Sequence, residues 1–177
     1  MMTREQNDFY ATDPIALEKL LEVETFSKVW ECACGMGHLS EVLKKHGIHE
    51  WSSDLIDRGY GAPNVDFLLY NKRFDGDIVT NPPYRFAKQF IDHALELIES
   101  GHKVAMLVKT SFLEGKTRKQ WFKDTPPKTI YVFSERINCA KNGDFETYYS
   151  SNFLGANTYI WLVYEKGYKG QTVLNWL

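Results

Sequence analysis

Short apolar runs alternate along this chain with apolar positions at helical spacing. The short runs predict strands near residues 28–34, 49–54, 64–67, 76–80, 104–108, 128–133 and 159–165. The helical spacing predicts helices between several of these strands. Strands interleaved with helices are typical of an α/β protein, so we expect a doubly wound, mostly parallel sheet.

Three of the predicted helices carry start or stop signals. Asp13 and Pro14 suit the cap and first position of one helix, Gly47 suits the end of a helix over 38–46, and Gly101 suits the end of a helix over 86–100. Their apolar positions are Ile15, Leu17, Leu20 and Leu21 in the first, Leu39, Val42 and Leu43 in the second, and Phe86, Phe90, Ile91, Ala94, Leu97 and Ile98 in the third.

Composition supports one folded domain. The chain has 177 residues, of which 44% are hydrophobic and 15% aromatic, which is enough to build one core over 1–177 and excludes a disordered chain. The first residues lack the pattern of a signal peptide, and no apolar stretch approaches about 18 residues, so we expect no membrane span. Cys32, Cys34 and Cys139 are odd in number, which favours a reducing cytoplasm.

The motif Asn81-Pro82-Pro83-Tyr84, directly after the strand predicted at 76–80, carries the clearest chemistry. An exocyclic amine is a weak nucleophile because its lone pair is delocalised. The Asn81 side-chain oxygen and the Pro82 carbonyl, each accepting one N–H, would localise that lone pair. The prolines remove competing donors and hold the carbonyl in one direction, and Tyr84 offers a face on which a flat base can stack. The alternative interpretation is a plain turn.

A second motif runs from Glu31 to Gly37, after the strand predicted at 28–34. Its glycines allow close backbone approach, but an acid stands where a dinucleotide-binding fingerprint has glycine, so a cationic ligand fits better than a pyrophosphate. Asp54 follows Gly35 by 19 residues, the spacing of an acid that binds ribose hydroxyls. A nicotinamide enzyme would share Asp54 but would have no use for Asn81–Tyr84.

Both motifs and Asp54 are predicted at the carboxyl ends of strands, where doubly wound sheets bind ligands. A zinc site at Cys32, Cys34 and His38 is disfavoured, because zinc motifs separate paired cysteines by two or more residues. No metal site is expected.

With these motifs the chain resembles the S-adenosylmethionine-dependent amino-methyltransferases, and among them the small DNA N6-adenine methyltransferases of phages and prophages. The resemblance covers most of the chain. The segments that carry it are Asp8–Pro14, Glu31–Gly37, Asp54, Val65–Phe67, Asn81–Tyr84 and Tyr159–Tyr168.

The resemblance implies a seven-stranded sheet with a reversed C-terminal hairpin, S-adenosylmethionine as cofactor and Asn81–Tyr84 as the catalytic motif. Asp54 would bind the ribose, Asp66 and Phe67 would flank the adenine, and Phe9, Tyr10 and Thr12 would border the methionine part. The whole cofactor-binding set that it implies is Phe9, Tyr10, Thr12, Glu31, Cys32, Ala33, Gly35, Gly37, Asp54, Asp66, Phe67 and Asn81. The family's commonest form has a second proline where Thr12-Asp13 stands.

Charge is unevenly distributed. The net charge of −2 is unlike that of a dedicated nucleic-acid coat, but the stretch from Lys109 to Lys128 has six basic residues against two acidic ones. Of these, Lys109, Lys116, Arg118 and Lys119 are the predicted phosphate contacts. The alternative is a solvated helix face. Residues 134–158 are predicted to be a long loop, in which Tyr148, Tyr149 and Phe153 either hold a flipped base or fill a hydrophobic flap.

The sequence therefore predicts methyl transfer from S-adenosylmethionine to an exocyclic amino nitrogen, with adenine N6 in DNA as the first expectation. RNA adenine, protein glutamine N5 and a non-catalytic cofactor-binding protein are the alternatives. Thirty residues precede Glu31, which favours nucleic acid, because glutamine enzymes usually carry an N-terminal helical domain. We expect no separate target-recognition domain, and the sequence leaves open whether a homodimer or another partner supplies specificity.

Overall fold

The structure, a computed structural model, describes residues 10–141, 143, 145–146 and 157–177. The strands are β1 (Tyr10–Thr12), β2 (Val29–Glu31), β3 (His49–Ser52), β4 (Ile78–Thr80), β5 (Lys103–Lys109), β6 (Thr129–Val132), β7 (Cys139–Lys141), β8 (Tyr159–Glu165) and β9 (Val173–Trp176). The α-helices are α1 (Ile15–Leu21), α2 (His38–Lys45), α3 (Ala87–Leu97) and α4 (Lys116–Asp124). Short 3₁₀ helices cover Phe67–Leu69, Tyr84–Phe86 and Thr110–Leu113.

Seven of the described strands form one sheet in the order β3-β2-β4-β5-β8-β6-β9. The strands β3, β2, β4 and β5 are parallel to one another, and β9 is parallel to β6. Strand β8 is antiparallel to both of its neighbours, β5 and β6. The predicted Rossmann-like α/β class, with a mostly parallel sheet and a reversed hairpin near the C-terminus, is confirmed. Strands β1 and β7 pair antiparallel in a separate two-stranded sheet.

The order of the strands reverses at β2. The chain leaves β2 through α2 to reach β3 on one side and later returns to β4 on the other side, so β2 pairs with both β3 and β4. Such a switch point leaves a crevice beyond the carboxyl ends of the two strands. Glu31 ends β2 and Asn81 directly follows β4, so both motifs lie at this crevice.

Helices cover both faces of the sheet, and β5 shows why. Its side chains alternate: Val104, Met106 and Val108 pack in the cluster that contains α3, whereas Ala105 and Leu107 pack in the cluster that contains α1 and α2. All five are 0–1% exposed. A strand buried on both faces reads as a continuous apolar run, which is how the sequence shows β5.

The Asp77 carboxylate joins the amino ends of neighbouring strands, at the edge of the sheet opposite the crevice. It accepts hydrogen bonds from the backbone N–H of Ser27 (2.7 Å), which precedes β2, and of Lys103 (2.7 Å), which begins β5. His102 Nδ1 lies 3.3 Å from the same carboxylate. Asp77 is 4% exposed, so these donors satisfy a charge that would otherwise be buried alone.

The prediction of a strand at 64–67 is wrong, because the structure has no strand there and a 3₁₀ helix begins at Phe67. Asn64 has a left-handed φ of 59°, which interrupts an extended chain, and the Asp66 side chain accepts a hydrogen bond from Leu68 N–H (3.0 Å) to begin the 3₁₀ helix. Short polar side chains of this kind compete with strand pairing. The seventh strand of the sheet is instead β9, which the sequence analysis did not predict.

Several predicted boundaries also change. The helix predicted over 86–100 begins as a 3₁₀ helix at Tyr84 and ends at Leu97, because Ile98 is extended and forms a bridge with Phe74. Ile15, predicted on the apolar face of α1, is 43% exposed, and Ala16 is buried instead. The predicted loop 134–158 contains a strand, β7.

Some expectations fall outside the described residues: Phe9, Tyr148, Tyr149 and Phe153. Across the described ranges, no helix is long and apolar enough to span a bilayer. The same ranges contain no group of three or more His, Cys, Asp or Glu side chains placed to hold a metal ion.

Replacing Asp77 with alanine should lower the free energy of unfolding by about 3 kcal/mol, because two partly buried backbone N–H groups lose a charged acceptor. Urea denaturation measures the change. Asp75→Ala is the matched control, since the Asp75 side chain is 74% exposed and pairs with Lys28 at the surface. Equal losses in the two variants would contradict the role assigned to Asp77.

Candidate active site

A cavity of about 690 Å³ lies at the crevice beyond β2 and β4. Its volume falls within the range of about 300–1,000 Å³ that is usual for small-molecule sites. Most of the residues that the sequence analysis proposed for the site line it together: Tyr10, Thr12, Glu31, Cys32, Ala33, Asp54, Asp66, Phe67, Asn81, Pro82, Pro83 and Tyr84. Residues from distant parts of the chain therefore meet at one cavity, as the strand-end argument predicts.

Asn81 presents a hydrogen-bond acceptor that the described protein does not satisfy. Its side-chain Nδ2 donates to Thr12 Oγ1 at 2.8 Å, whereas its Oδ1 is buried and accepts no hydrogen bond from the described residues. The next residue is similar, because no described donor bonds to the Pro82 carbonyl oxygen. Buried acceptors are nearly always paired in proteins, so the unpaired Asn81 Oδ1, with the Pro82 carbonyl beside it, indicates a place for a donor that a ligand supplies.

Tyr84 is held firmly at the end of the motif. The Tyr84 hydroxyl donates towards Cys139 Sγ at 3.9 Å. The centre of the Tyr84 ring lies 6.1 Å from the centre of the Tyr159 ring and 4.9 Å from Lys109 Nζ. Burial raises the pKa of Tyr84 far above its usual value. A phenol whose pKa is raised in this way stays protonated at neutral pH.

Glu31 is buried (2% exposed) and belongs to a chain of polar side chains. The Ser40 hydroxyl donates to Glu31 Oε2 and lies 2.6 Å from Ser52 Oγ, which in turn lies 2.7 Å from His49 Nε2. Burial raises the pKa of Glu31 to about 8, partly offset by the Ser40 hydrogen bond. The carboxyl group is thus poised to ionise when a cation approaches.

Asp54 fixes the loop that follows β2. Its Oδ2 accepts from Gly35 N–H (2.8 Å) and its Oδ1 accepts from Ile56 N–H (2.9 Å). One carboxylate therefore holds the Glu31–Gly37 motif against the segment that follows β3. Each carboxylate oxygen keeps a further lone pair for a ligand hydroxyl.

Phe67 forms the floor of the cavity as part of an aromatic cluster. Its ring centre lies 5.3 Å from that of Trp30 and 4.8 Å from that of Phe90. Trp30 also stacks on Trp51 at 4.5 Å. Phe67 is 2% exposed, so it offers the cavity only a small apolar surface that packing keeps in one orientation.

The two glycines of the Glu31–Gly37 motif line the cavity less directly than expected. Gly35 donates to Asp54, as described above, and neither glycine is among the cavity-lining residues. Gly37 is the N-cap residue that precedes α2, with φ of 86°, and a Cβ there would lie 2.4 Å from the Tyr60 ring. Gly37 is therefore required by the turn and by its contact with Tyr60, and its contact with a cofactor remains a prediction.

The predicted phosphate contacts fall into two groups. Lys109 lies beside Tyr84, the last residue of the Asn81–Tyr84 motif. Lys116, Arg118 and Lys119 are on α4 and do not line the cavity. The Arg118 guanidinium bonds to the backbone oxygens of Ser111 and Glu114, so its local role is to fix the start of α4. Contact of any of these four residues with phosphate remains a prediction.

Sequence reasoning missed several residues that line the cavity: Leu55, Ile56, Arg58, Arg85, Phe86 and Phe90. Leu55, Ile56 and Arg58 lie in the segment after β3, and the others follow the Asn81–Tyr84 motif, so strand-end position was the available signal. With them the cavity holds the acids Glu31, Asp54 and Asp66 against Arg58 and Arg85. A bound cation would favour the ionised form of Glu31, and the acids of the cavity would then outnumber its arginines.

No protein-family model and no curated protein matches the sequence. Solved structures, however, share its fold. The type I restriction-modification methyltransferase subunit from Streptococcus thermophilus has a TM-score of 0.64 and 13% identity, with 95% of this chain and 47% of that chain covered.

Two further solved structures are similar. A candidate class I S-adenosylmethionine-dependent methyltransferase from Listeria monocytogenes has a TM-score of 0.56 and 15% identity over 92% of this chain and 62% of that one. A predicted O-methyltransferase from Agrobacterium tumefaciens has a TM-score of 0.60 and 12% identity over 93% and 85%. The protein thus spans 47% of the Streptococcus chain and 62% of the Listeria chain. It has the Rossmann-like fold of S-adenosylmethionine-dependent methyltransferases.

Proposed function

We propose that this protein is an S-adenosylmethionine-dependent methyltransferase that methylates an exocyclic amino nitrogen, and that its acceptor is adenine N6 in DNA. The observation that carries the proposal is the pair of unpaired acceptors, Asn81 Oδ1 and the Pro82 carbonyl, at the wall of the cavity. An amino group has two N–H donors, and these acceptors match them in number and in chemistry.

The cavity fits the proposed cofactor. Glu31 offers a buried carboxyl group to an ammonium, Asp54 keeps lone pairs for ribose hydroxyls, and Phe67 and Ile56 supply apolar surface for an adenine. A buried carboxyl group with a raised pKa is costly to ionise unless a cation pairs with it. Pairing with a ligand cation accounts for the presence of an acid, Glu31, at the end of β2 just before the glycine turn.

The chemistry that the cofactor supplies is an electrophilic methyl group on a cationic sulfur. The protein's part is to position the amine: Asn81 Oδ1 and the Pro82 carbonyl would accept its two N–H groups and direct the lone pair. No general base is required, because the amine proton can leave after transfer. A target base in a duplex must first be rotated out of its stack, at a cost of a few kcal/mol.

Two features support DNA as the acceptor. Arg85 lines the cavity next to the catalytic motif and Lys109 lies against Tyr84, so positive charge is available for phosphates close to the proposed base site. The Streptococcus neighbour belongs to a restriction-modification system. The Agrobacterium neighbour is named as an O-methyltransferase, so the fold alone does not choose the acceptor.

The test of the proposal is to incubate the protein with radiolabelled S-adenosylmethionine and, in parallel, DNA, RNA and whole-lysate protein. Digestion and chromatography then identify the modified group. Labelled N6-methyladenine from DNA is the expected result. Label only in RNA adenine or in protein glutamine would reject DNA as acceptor, and stabilisation by the cofactor without any methyl transfer would reject an enzyme.

Asn81→Ala should lower the rate of methyl transfer at least about 10²–10³-fold, the loss typical when one fixed partner of a reacting group is removed. Cofactor affinity, measured by calorimetry, should stay nearly unchanged, because the amide acts on the amine. Asn71→Ala is the control, since Asn71 is exposed and does not line the cavity. Near-normal turnover in Asn81→Ala would mean that lone-pair localisation is not the mechanism.

Asp54→Ala should weaken cofactor binding about 10–100-fold, which corresponds to the loss of charged hydrogen bonds. The matched control is Asp57→Ala in the same loop: Asp57 is exposed and accepts from Gly59 N–H (2.9 Å) but does not line the cavity. If both variants bind the cofactor equally well, Asp54 serves to order the loop and does not contact the ligand.

Cofactor binding should release a proton below pH 8. Burial raises the pKa of Glu31 to about 8, so the ligand-free carboxyl group is protonated at lower pH, and a bound ammonium favours the ionised form. Affinity should therefore rise by up to about tenfold per pH unit towards pH 8 and then fall, because an α-amino group, whose usual pKa is about 7.7–8.0, loses its own proton. Calorimetry in buffers of different ionisation enthalpy counts the protons released. A Glu31→Gln variant that releases as many protons as the wild type would disprove this assignment.

A further inference from the structure

Thr12 connects the catalytic motif to the two-stranded sheet formed by β1 and β7. It ends β1, is 4% exposed and pairs across the strands with Cys139. Its Oγ1 accepts the 2.8 Å hydrogen bond from Asn81 Nδ2, a contact between residues 69 positions apart in the sequence. A buried hydroxyl therefore lies directly behind the side chain that is proposed to receive the amine.

The two ends of an asparagine amide have nearly the same shape but opposite hydrogen-bonding character. The oxygen end accepts an N–H, whereas the nitrogen end would present two further donors to an amine and could not hold it. Rotation by a half turn about χ2 exchanges the two ends. The neighbours of Asn81 must therefore determine which end meets the cavity.

The surroundings of Thr12 favour one orientation. A threonine hydroxyl can accept one hydrogen bond and donate another. Cys139 is the register partner of Thr12, so its sulfur offers the Thr12 proton a neighbour other than Asn81. The hydrogen bond from Asn81 Nδ2 to Thr12 Oγ1 leaves Asn81 Oδ1, unpaired among the described residues, as the end available to a ligand.

We propose that Thr12 is a positioning residue for the amino-group site: by accepting from Asn81 Nδ2, it holds the Asn81 oxygen as the acceptor for the substrate N–H. This role rests on the function proposed above. It differs from a role in which Thr12 only borders the cofactor, because it acts on the acceptor amine through Asn81.

Three single variants test this role. Thr12→Val removes the hydroxyl and keeps the shape, Thr12→Ser keeps the hydroxyl, and Thr80→Val is the matched control. Thr80 is a buried strand threonine next to Asn81, and its hydroxyl has no hydrogen-bond partner among the described residues. Because a misdirected reacting group loses about 10–100-fold in rate, kcat of Thr12→Val should fall by that factor, with cofactor affinity unchanged.

Thr12→Ser should restore most of the lost rate, and Thr80→Val should behave as the wild type. If Thr12→Val does not fold, Thr12→Ala provides the same loss of acceptor. Equal kcat values in Thr12→Val and Thr80→Val would overturn the proposal. So would a Thr12→Val loss that appears only in cofactor affinity, because that result assigns Thr12 to the cofactor.

A double-mutant cycle with Asn81→Asp separates positioning from general damage. Both ends of an ionised aspartate accept hydrogen bonds, so its orientation does not matter. Adding Thr12→Val to Asn81→Asp should therefore cost far less rate than adding it to the wild type. The same fold-loss in both backgrounds would overturn the proposal.

A measurement without turnover distinguishes failure of this proposal from failure of the proposed function. In ¹⁵N-labelled protein, one side-chain amide proton of Asn81 should exchange slowly with water in the wild type and in Thr12→Ser, and fast in Thr12→Val. Asn81→Asp assigns the resonance by removing it. Fast exchange in the wild type would overturn the Thr12 contact, whatever the acceptor. If exchange follows this pattern but no DNA, RNA or protein is methylated, the contact stands and the proposed function fails.

Discussion

The parallel pairing of β2 with β4 is the constraint on which the site depends. Trp30 and Ile78 are register partners, so the ends of the two strands reach the same edge of the sheet, and Glu31 and Asn81 both open onto one crevice. The pairing requires that the chain cross from one side of β2 to the other, which creates the crevice. At the opposite edge, Asp77 holds the amino end of β5 and the segment before β2.

The site keeps buried polar groups that the fold does not fully satisfy. A buried acceptor without a partner costs about 1–3 kcal/mol, and Asn81 Oδ1 is one. The buried Glu31 carboxyl group keeps its proton to higher pH than an exposed acid. The apolar clusters on both faces of the sheet supply the stability that offsets such groups. A cationic ligand and an amine would satisfy these same groups. The groups therefore lower the stability of the free protein and would strengthen its binding of such a ligand.

Sequence patterns were sufficient where one local signal determines the structure. The apolar run 104–108 identified β5, and the residues at strand ends identified most of the cavity wall. Patterns were insufficient where side chains act at a distance. The Asp66 cap replaced a predicted strand, and β9, exposed along its length, has too little apolar alternation to be recognised. The Asn81–Thr12 contact spans 69 positions, and no spacing rule could have indicated it.

The small sheet formed by β1 and β7 has a consequence for biosynthesis. A ribosome delivers β1 before any strand of the seven-stranded sheet, whereas the partner strand of β1, β7, emerges only after β2 to β6. The nascent chain can therefore assemble β2, β4 and β5 while Thr12 still lacks its cross-strand neighbour. The wall of the cavity that β1 contributes is then completed late, so a chain that ends before β7 would hold part of the sheet with an incomplete cavity.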